Sequence, residues 1–271
     1  MSSTTAAEYK RRTREQWGND PCGHVHGDGY DIGTREFFDS VEAHRYGEYA
    51  PWMRDVMEFG AFPGKDLLEI GCGMGTDLLQ FARGGARVTG LDYTPRSVEI
   101  SRRRFAVYGV PGRFMLGDAE NLGFADGSFD VVYSNGVLHH TPDTQKAVDE
   151  VYRVLKPGGV AKVMLYHRRS LYYWFVILLR FGLLHGERLR YTPEQIMSRH
   201  VEYSETGALP LVRAYTRAEV DRMFSRFSER RTEVRQLTRA ELHLPQFLVP
   251  DALVEWLGRR WGWNVVITAR K

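Results

Sequence analysis

The stretch DLLEIGCGMGTD, Asp66–Asp77, decides how this chain is read. An apolar, strand-like run ending in Glu69 and Ile70 passes directly into Gly71-x-Gly73-x-Gly75. A strand that empties into three closely spaced glycines makes room at its tip, because a backbone without Cβ atoms lets a ligand approach closely. Downstream, the pattern alternates. Thr76 to Arg83 reads as a helix, ARVTGLD as a second strand, PRSVEISRRRFAVYG as a helix, and GRFMLGD and FDVVYSNG as strands three and four. A helix around Thr144 to Leu155, the turn KPGG and the apolar strand VAKVMLYH follow. Strands that are apolar almost throughout and alternate with helices belong to a parallel sheet covered on both faces.

The rest of the chain frames this core. Its 271 residues, 43% of them hydrophobic, can bury one large core without disulfide staples. A formal charge of +3 is too small for a nucleic-acid groove, and the arginines are scattered; only six of the 37 basic residues are lysines. No nucleic-acid partner is expected. Cys22 and Cys72 lie far apart, and Cys72 sits inside the glycine loop, which points to a reducing, cytoplasmic setting. No basic-then-apolar leader opens the sequence. The most apolar run, Leu171 to Leu184, is shorter than a bilayer crossing needs and carries Arg180, so no membrane span is expected. It reads as a core or dimer helix, which leaves a homodimer open, or as a channel wall for a hydrophobic substrate. The expected organisation is a helical, aromatic-rich cap over 1–60, a ligand-binding core over 61–167, a lid or substrate insertion over 168–215 and the C-terminal part of the sheet over 216–271.

The residues at the strand ends narrow the ligand. A dinucleotide fingerprint, G-x-G-x-x-G, needs its third glycine one place later, where this chain has Thr76. Glu69, two residues before the first glycine, suits a cationic head in place of phosphates. Asp92 closes the second strand, where a carboxylate accepts hydrogen bonds from both ribose hydroxyls, and Tyr93 beside it can lie on an adenine face. A helix N-cap role is the plainer reading of Asp92. Asp118 ends the third strand and can take an adenine amino group, with the Ala119 N–H on a ring nitrogen. Together these residues describe a pocket for a nucleoside that carries an amino-acid tail.

The ordered set LLEIGCGMGTDLLQFA, VTGLDYTPRSVEISRRR, GDAENLGFADGSFDVVYSNGVLHHTPD and VYRVLKPGGVAKVMLYHR resembles the class I S-adenosylmethionine-dependent methyltransferases, and within them the ubiquinone/menaquinone C-methyltransferase branch. The resemblance covers residues 60 to 167, with a closing strand at GWNVVITARK. It implies an α/β, Rossmann-like, doubly wound sheet of seven strands whose last strand is antiparallel, with S-adenosyl-L-methionine as cofactor. Glu69, Gly71, Gly73 and Gly75 would line its methionine end, Asp92 would bind ribose, and Asp118 with Ala119 would bind adenine. Asn135 and Gly136 would hold the methionine moiety from the backbone. The expected function is methylation, at C, O or N, of a small hydrophobic or aromatic metabolite.

Methyl transfer needs alignment and a dry pocket more than it needs catalytic groups. A base helps only where the acceptor must lose a proton. His139, after the fourth strand, and His167, after the fifth, are the candidates, while His140 reads as packing at the next helix. Trp17, Tyr30, Tyr46 and Tyr166 are the expected substrate-facing aromatics. Cys22, His24 and His26 lack a fourth ligand nearby, so no metal is expected. Two rival readings stand beside this one. A nicotinamide-dependent oxidoreductase is disfavoured by the missing glycine, and a non-catalytic cofactor-binding scaffold by the intact pocket residues.

Overall fold

The structure, a computed structural model, describes residues 5–27, 29–202, 207–238 and 250–271. Parts of the expected insertion (203–206) and of the expected C-terminal segment (239–249) therefore lie outside the described residues.

Among the described residues eight strands form one sheet: β1 (Asp66–Ile70), β2 (Arg87–Asp92), β3 (Arg113–Leu116), β4 (Phe129–Asn135), β5 (Leu155–His167), β6 (Ala214–Tyr215), β7 (Glu229–Arg235) and β8 (Asn264–Arg270). Seven of them run in the order β3-β2-β1-β4-β5-β8-β7, and the two-residue β6 pairs with the tip of β5. The first five strands are parallel to one another, and β8 is antiparallel to both β5 and β7. The sheet is thus the expected one, with one extra short strand. KPGG is absorbed into β5 as a bulge, since Leu155 pairs with Phe129 and the ladder resumes only at Val160 opposite Val131.

Alternation along the strands sends neighbours to opposite faces. Leu68 and Val132 pack with α6 (Thr144–Val154) and α8 (Arg217–Met223), through Val148, Val151 and Val220. Leu67 and Val131 pack on the other side with Leu78 and Phe81 of α4 (Thr76–Arg83) and Phe105 of α5 (Pro95–Tyr108). That second face is extended by the N-terminal segment: α1 (Ala6–Asn19), α2 (Arg35–Ala43) and α3 (Met53–Met57). Phe37, Phe38 and Met53 are fully buried there, so α2 and α3 are part of the core.

The insertion after β5 contains a wide π-type helix, Tyr172–Leu184, and α7 (Pro193–His200). They pack together through Tyr173, Ile177, Ile196 and Met197, and against Trp263 just before β8. The last helix is α9 (Asp251–Trp261). Among the described residues no helix is long and apolar enough to cross a membrane.

Candidate functional site

A cavity of about 320 Å³ opens at the carboxyl ends of β1, β2, β4 and β5. Its floor is the strand tips and the glycine loop, and its roof comes from α1, the segment around residues 22–53 and residue 202.

Within the loop the three glycines do different things. A Cβ on Gly73 would meet nothing within 4 Å, so the space above it belongs to the cavity. Gly71, at φ +74, would drive a Cβ into Val137 at 2.2 Å. Gly75 does not line the cavity; it caps α4 and lies 3.1 Å, at its Cβ position, from the Ser101 hydroxyl of α5. Gly75, expected to line the cofactor's methionine end, is thus set off the cavity wall, and its position packs α4 against α5.

Among the described residues, four cavity-lining residues carry a buried oxygen without a hydrogen-bond partner: Oγ1 of Thr13, Oε2 of Glu69, Oδ1 of Asn135 and Oδ1 of Asn264. Burial, reinforced by the charge of Asp77, pushes the Glu69 carboxyl well above the usual carboxylate range. Asp92 is also buried, and burial raises it despite hydrogen bonds from Thr94 and from the Gly73 N–H at 2.9 Å. The cap of α5 is Thr94, whose hydroxyl accepts from the Ser97 N–H, so Asp92 is not needed as an N-cap. Tyr93, Asp118, Ala119 and Gly136 line the cavity as well.

α1 lies across Asp118 and Glu120. Lys10, Thr13 and Trp17, spaced three and four apart, present one helix face to the cavity. Lys10 Nζ reaches Asp118 at 2.6 Å and Glu120 at 2.7 Å. The Arg14 guanidinium sits 4.6 Å from the Tyr93 ring centroid.

A second network fastens the cap. Asp77, in the first turn of α4, accepts from Nε and Nη2 of Arg45 at 2.6 Å each, from the Tyr46 hydroxyl at 2.6 Å and from the Tyr133 hydroxyl at 2.7 Å. Burial alone would raise its carboxyl, but the Arg45 charge and these donors hold it below the usual value. Tyr46 is thus spent on Asp77 and is not on the cavity wall. Tyr30 is exposed and away from the cavity.

At the far end stand Trp17, Tyr166, His140 and Glu202. The Tyr166 hydroxyl donates to Glu202 at 2.7 Å. His140 Nδ1 lies 2.6 Å from the Leu211 carbonyl, which fixes the proton there and leaves Nε2 as the acceptor, 3.6 Å from Glu202. His139 is not on the wall. It is fully buried between His140 and Tyr166, at 3.9 Å from the latter's ring, and burial holds it well below the ordinary histidine value. His167 is also off the wall, bonded through Nδ1 to the Gly262 carbonyl at 3.1 Å. The two histidines expected as bases are thus spent on packing and on the β8 approach, and the one expected to pack faces the cavity. Asp77, Arg45's role and Lys10 were also missed. An aspartate in a helix's first turn is ordinary sequence, and nothing local marks its partners.

These features have relatives. Residues 68–163 match the methyltransferase domain family. A demethylmenaquinone methyltransferase of Thermus thermophilus is 35% identical over 125 residues, 41% of this chain and 56% of its own length. A 2-methyl-6-phytyl-1,4-hydroquinone methyltransferase of Oryza sativa subsp. japonica is 45% identical over 74 residues, 27% of this chain and 21% of its own. The chain spans little more than half of the first relative and about a fifth of the second. Among solved structures, a Methanosarcina mazei S-adenosylmethionine-dependent methyltransferase superposes with TM-score 0.57 at 21% identity, covering 80% of this chain and 96% of that one. The 4+2 cyclase SpnF gives TM-score 0.57 at 19% identity over 97% of this chain and 92% of its own.

Proposed function

We propose, from the premise that residues 68–163 are a class I methyltransferase domain whose fold and family imply S-adenosyl-L-methionine as cofactor, that the chain methylates a small apolar or aromatic molecule. The observation that carries this reading is one cavity with two unlike ends. One end has unpartnered Glu69 and Asn135 oxygens, the open space over Gly73, and Asp92 and Asp118; the other is walled by Trp17 and Tyr166 with His140.

When bound, S-adenosylmethionine supplies a methyl group on a cationic sulfonium. In this reading Glu69 faces the cationic amino-acid end, and Asn135 and Gly136 orient it. Asp92 accepts from the ribose, and Asp118 with Ala119 reads the adenine once Lys10 gives way. Trp17, Trp52 and Tyr166 exclude water and enclose an apolar acceptor. Where that acceptor is a hydroxyl or amine, His140 Nε2 accepts its proton, and Glu202 offsets the resulting charge. The two quinol-type relatives support an aromatic acceptor by likeness alone.

The test is titration calorimetry with S-adenosylmethionine and with NAD, followed by incubation with labelled cofactor and an extract of small molecules. Tight binding of the first only, with a product heavier by one CH2, supports the proposal. Binding of S-adenosylmethionine with no labelled product from any acceptor class would leave a cofactor-binding scaffold instead, and NAD binding alone would revive the oxidoreductase.

A further inference from the structure

The Tyr172–Leu184 helix has two faces of different kind. Inward, Tyr173 and Ile177 are buried against α7 and Trp263, and Val176 is buried as well. Outward, Trp174, Phe175, Leu179, Leu183 and Leu184 are exposed, the last two by 69% and 72%, and Leu189 just beyond is 90% exposed. Arg180 and His185 complete that outward face, and the helix itself carries no carboxylate. Folded proteins rarely leave so contiguous an apolar row in water.

The charge around the row is one-sided. Residues 168–200 hold six arginines and two glutamates. One of those glutamates, Glu187, is engaged by His200 at 2.7 Å and by Arg199 at 3.8 Å. Arg169, Arg180, Arg188 and Arg190 are exposed.

We propose that this helix docks the protein on an anionic lipid bilayer. Trp, Phe and Leu on one face with arginines at its margin is the pattern of a helix that lies in the interfacial plane, apolar side chains among the acyl chains and guanidinium groups at the phosphates. Thirteen residues are too few to cross the bilayer, so the helix lies on it. A second copy of this chain would bring a like-charged face against this one, whereas an anionic surface complements it. Behind the helix, Tyr172 packs on Trp263, and Trp263 stacks at 4.6 Å on Tyr166 of the cavity wall, so the docked face is joined to the cavity by a continuous row of aromatic rings.

The proposal does not depend on the reaction, because its test reads binding alone. The full chain is sedimented with vesicles of phosphatidylcholine, and with vesicles of equal parts phosphatidylcholine and phosphatidylglycerol, at low and high salt. Binding to the mixed vesicles is expected to be at least about tenfold tighter and to weaken with salt. Leu183→Glu with Leu184→Glu should lower it by about tenfold or more with unchanged thermal melting, since both side chains are exposed. Arg180→Glu with Arg190→Glu should remove only the preference for anionic vesicles. Absence of vesicle binding, or equal binding by the leucine variant, overturns the proposal. So does a wild-type dimer in sedimentation that Leu183→Glu converts to monomer, which would make the face a contact between copies.

Discussion

Asp92 is held by the Gly73 N–H and by Thr94 as a tie across the loop, and in the proposed reading it also accepts from the cofactor's ribose. Asp92→Ala is expected to weaken S-adenosylmethionine binding by about 2–3 kcal/mol in calorimetry. It should also lower stability by about 1–3 kcal/mol in denaturant melts, because two buried donors lose their partner. Glu69 behaves differently. Its folded-state pKa is raised by burial, so folding takes up a proton there, and stability from this group is lost as pH rises from the ordinary carboxylate range toward the folded value. Glu69→Gln should therefore be more stable than wild type near neutral pH, with the difference vanishing below about pH 4. The same variant should bind S-adenosylmethionine more weakly and lose a proton release that wild type shows between buffers of different ionisation enthalpy. For the histidines, His140→Ala should lower turnover about 10²–10⁴-fold and remove the acidic limb of the pH–rate profile, given an acceptor that sheds a proton. His139→Phe should keep the profile's shape. Buried neutral His139 also opposes folding below about pH 6.5, where the unfolded chain takes up its proton, so His139→Phe should melt less readily in acid. The strand-end acids were legible because a carboxylate closing an apolar run has few other uses. The choice between His139 and His140 was not, since it is fixed by the Leu211 carbonyl, 71 residues away.

At the level of elements, the strands and helices of residues 66–167 stand close to where periodicity put them, because the helices bury one face against the sheet and begin at Gly75, Thr94 or Asp143. KPGG misled, since turn residues were recruited as a bulge within β5. The N-terminal segment was read as a cover and is only partly one. α2 and α3 supply core residues and are tied to α4 by Arg45 and Tyr46 on Asp77, so Asp77→Asn is expected to cost about 1–3 kcal/mol by weakening the charge-assisted hydrogen bonds that the half-buried Arg45 makes there. α1 buries only Gln16 and is held over the cavity by Lys10 and Arg14. Deleting residues 1–20 should leave the fold within a few tenths of its melting midpoint in urea while speeding cofactor exchange in stopped-flow measurements; loss of folding would place α1 in the core as well. Lys10→Ala should act in the same direction and more weakly.

Over the whole molecule, the cavity is closed by partners distant in sequence: Lys10 with Asp118, Trp52 with Gln236 and Tyr166 with Glu202. Such pairings leave no trace in local pattern, which is why the floor of the site was readable and its roof was not. Hydrogen exchange in residues 6–19 is expected to slow when S-adenosylmethionine binds, with β1 and β4 changing little. The sheet order carries a further consequence. β8 enters between β5 and β7, with Gly158 and Gly159 of the β5 bulge bonded to Lys271 at its end. During synthesis on the ribosome, β5 must therefore wait with one edge unpaired until about a hundred further residues have been made, and β7 has no neighbour of its own before then. Those interim edges are where a nascent chain would pair with the wrong partner, so chaperone dependence should fall on the last stage of synthesis, and a chain stalled before Asn264 should aggregate although all of its cavity lining but Asn264 has been made.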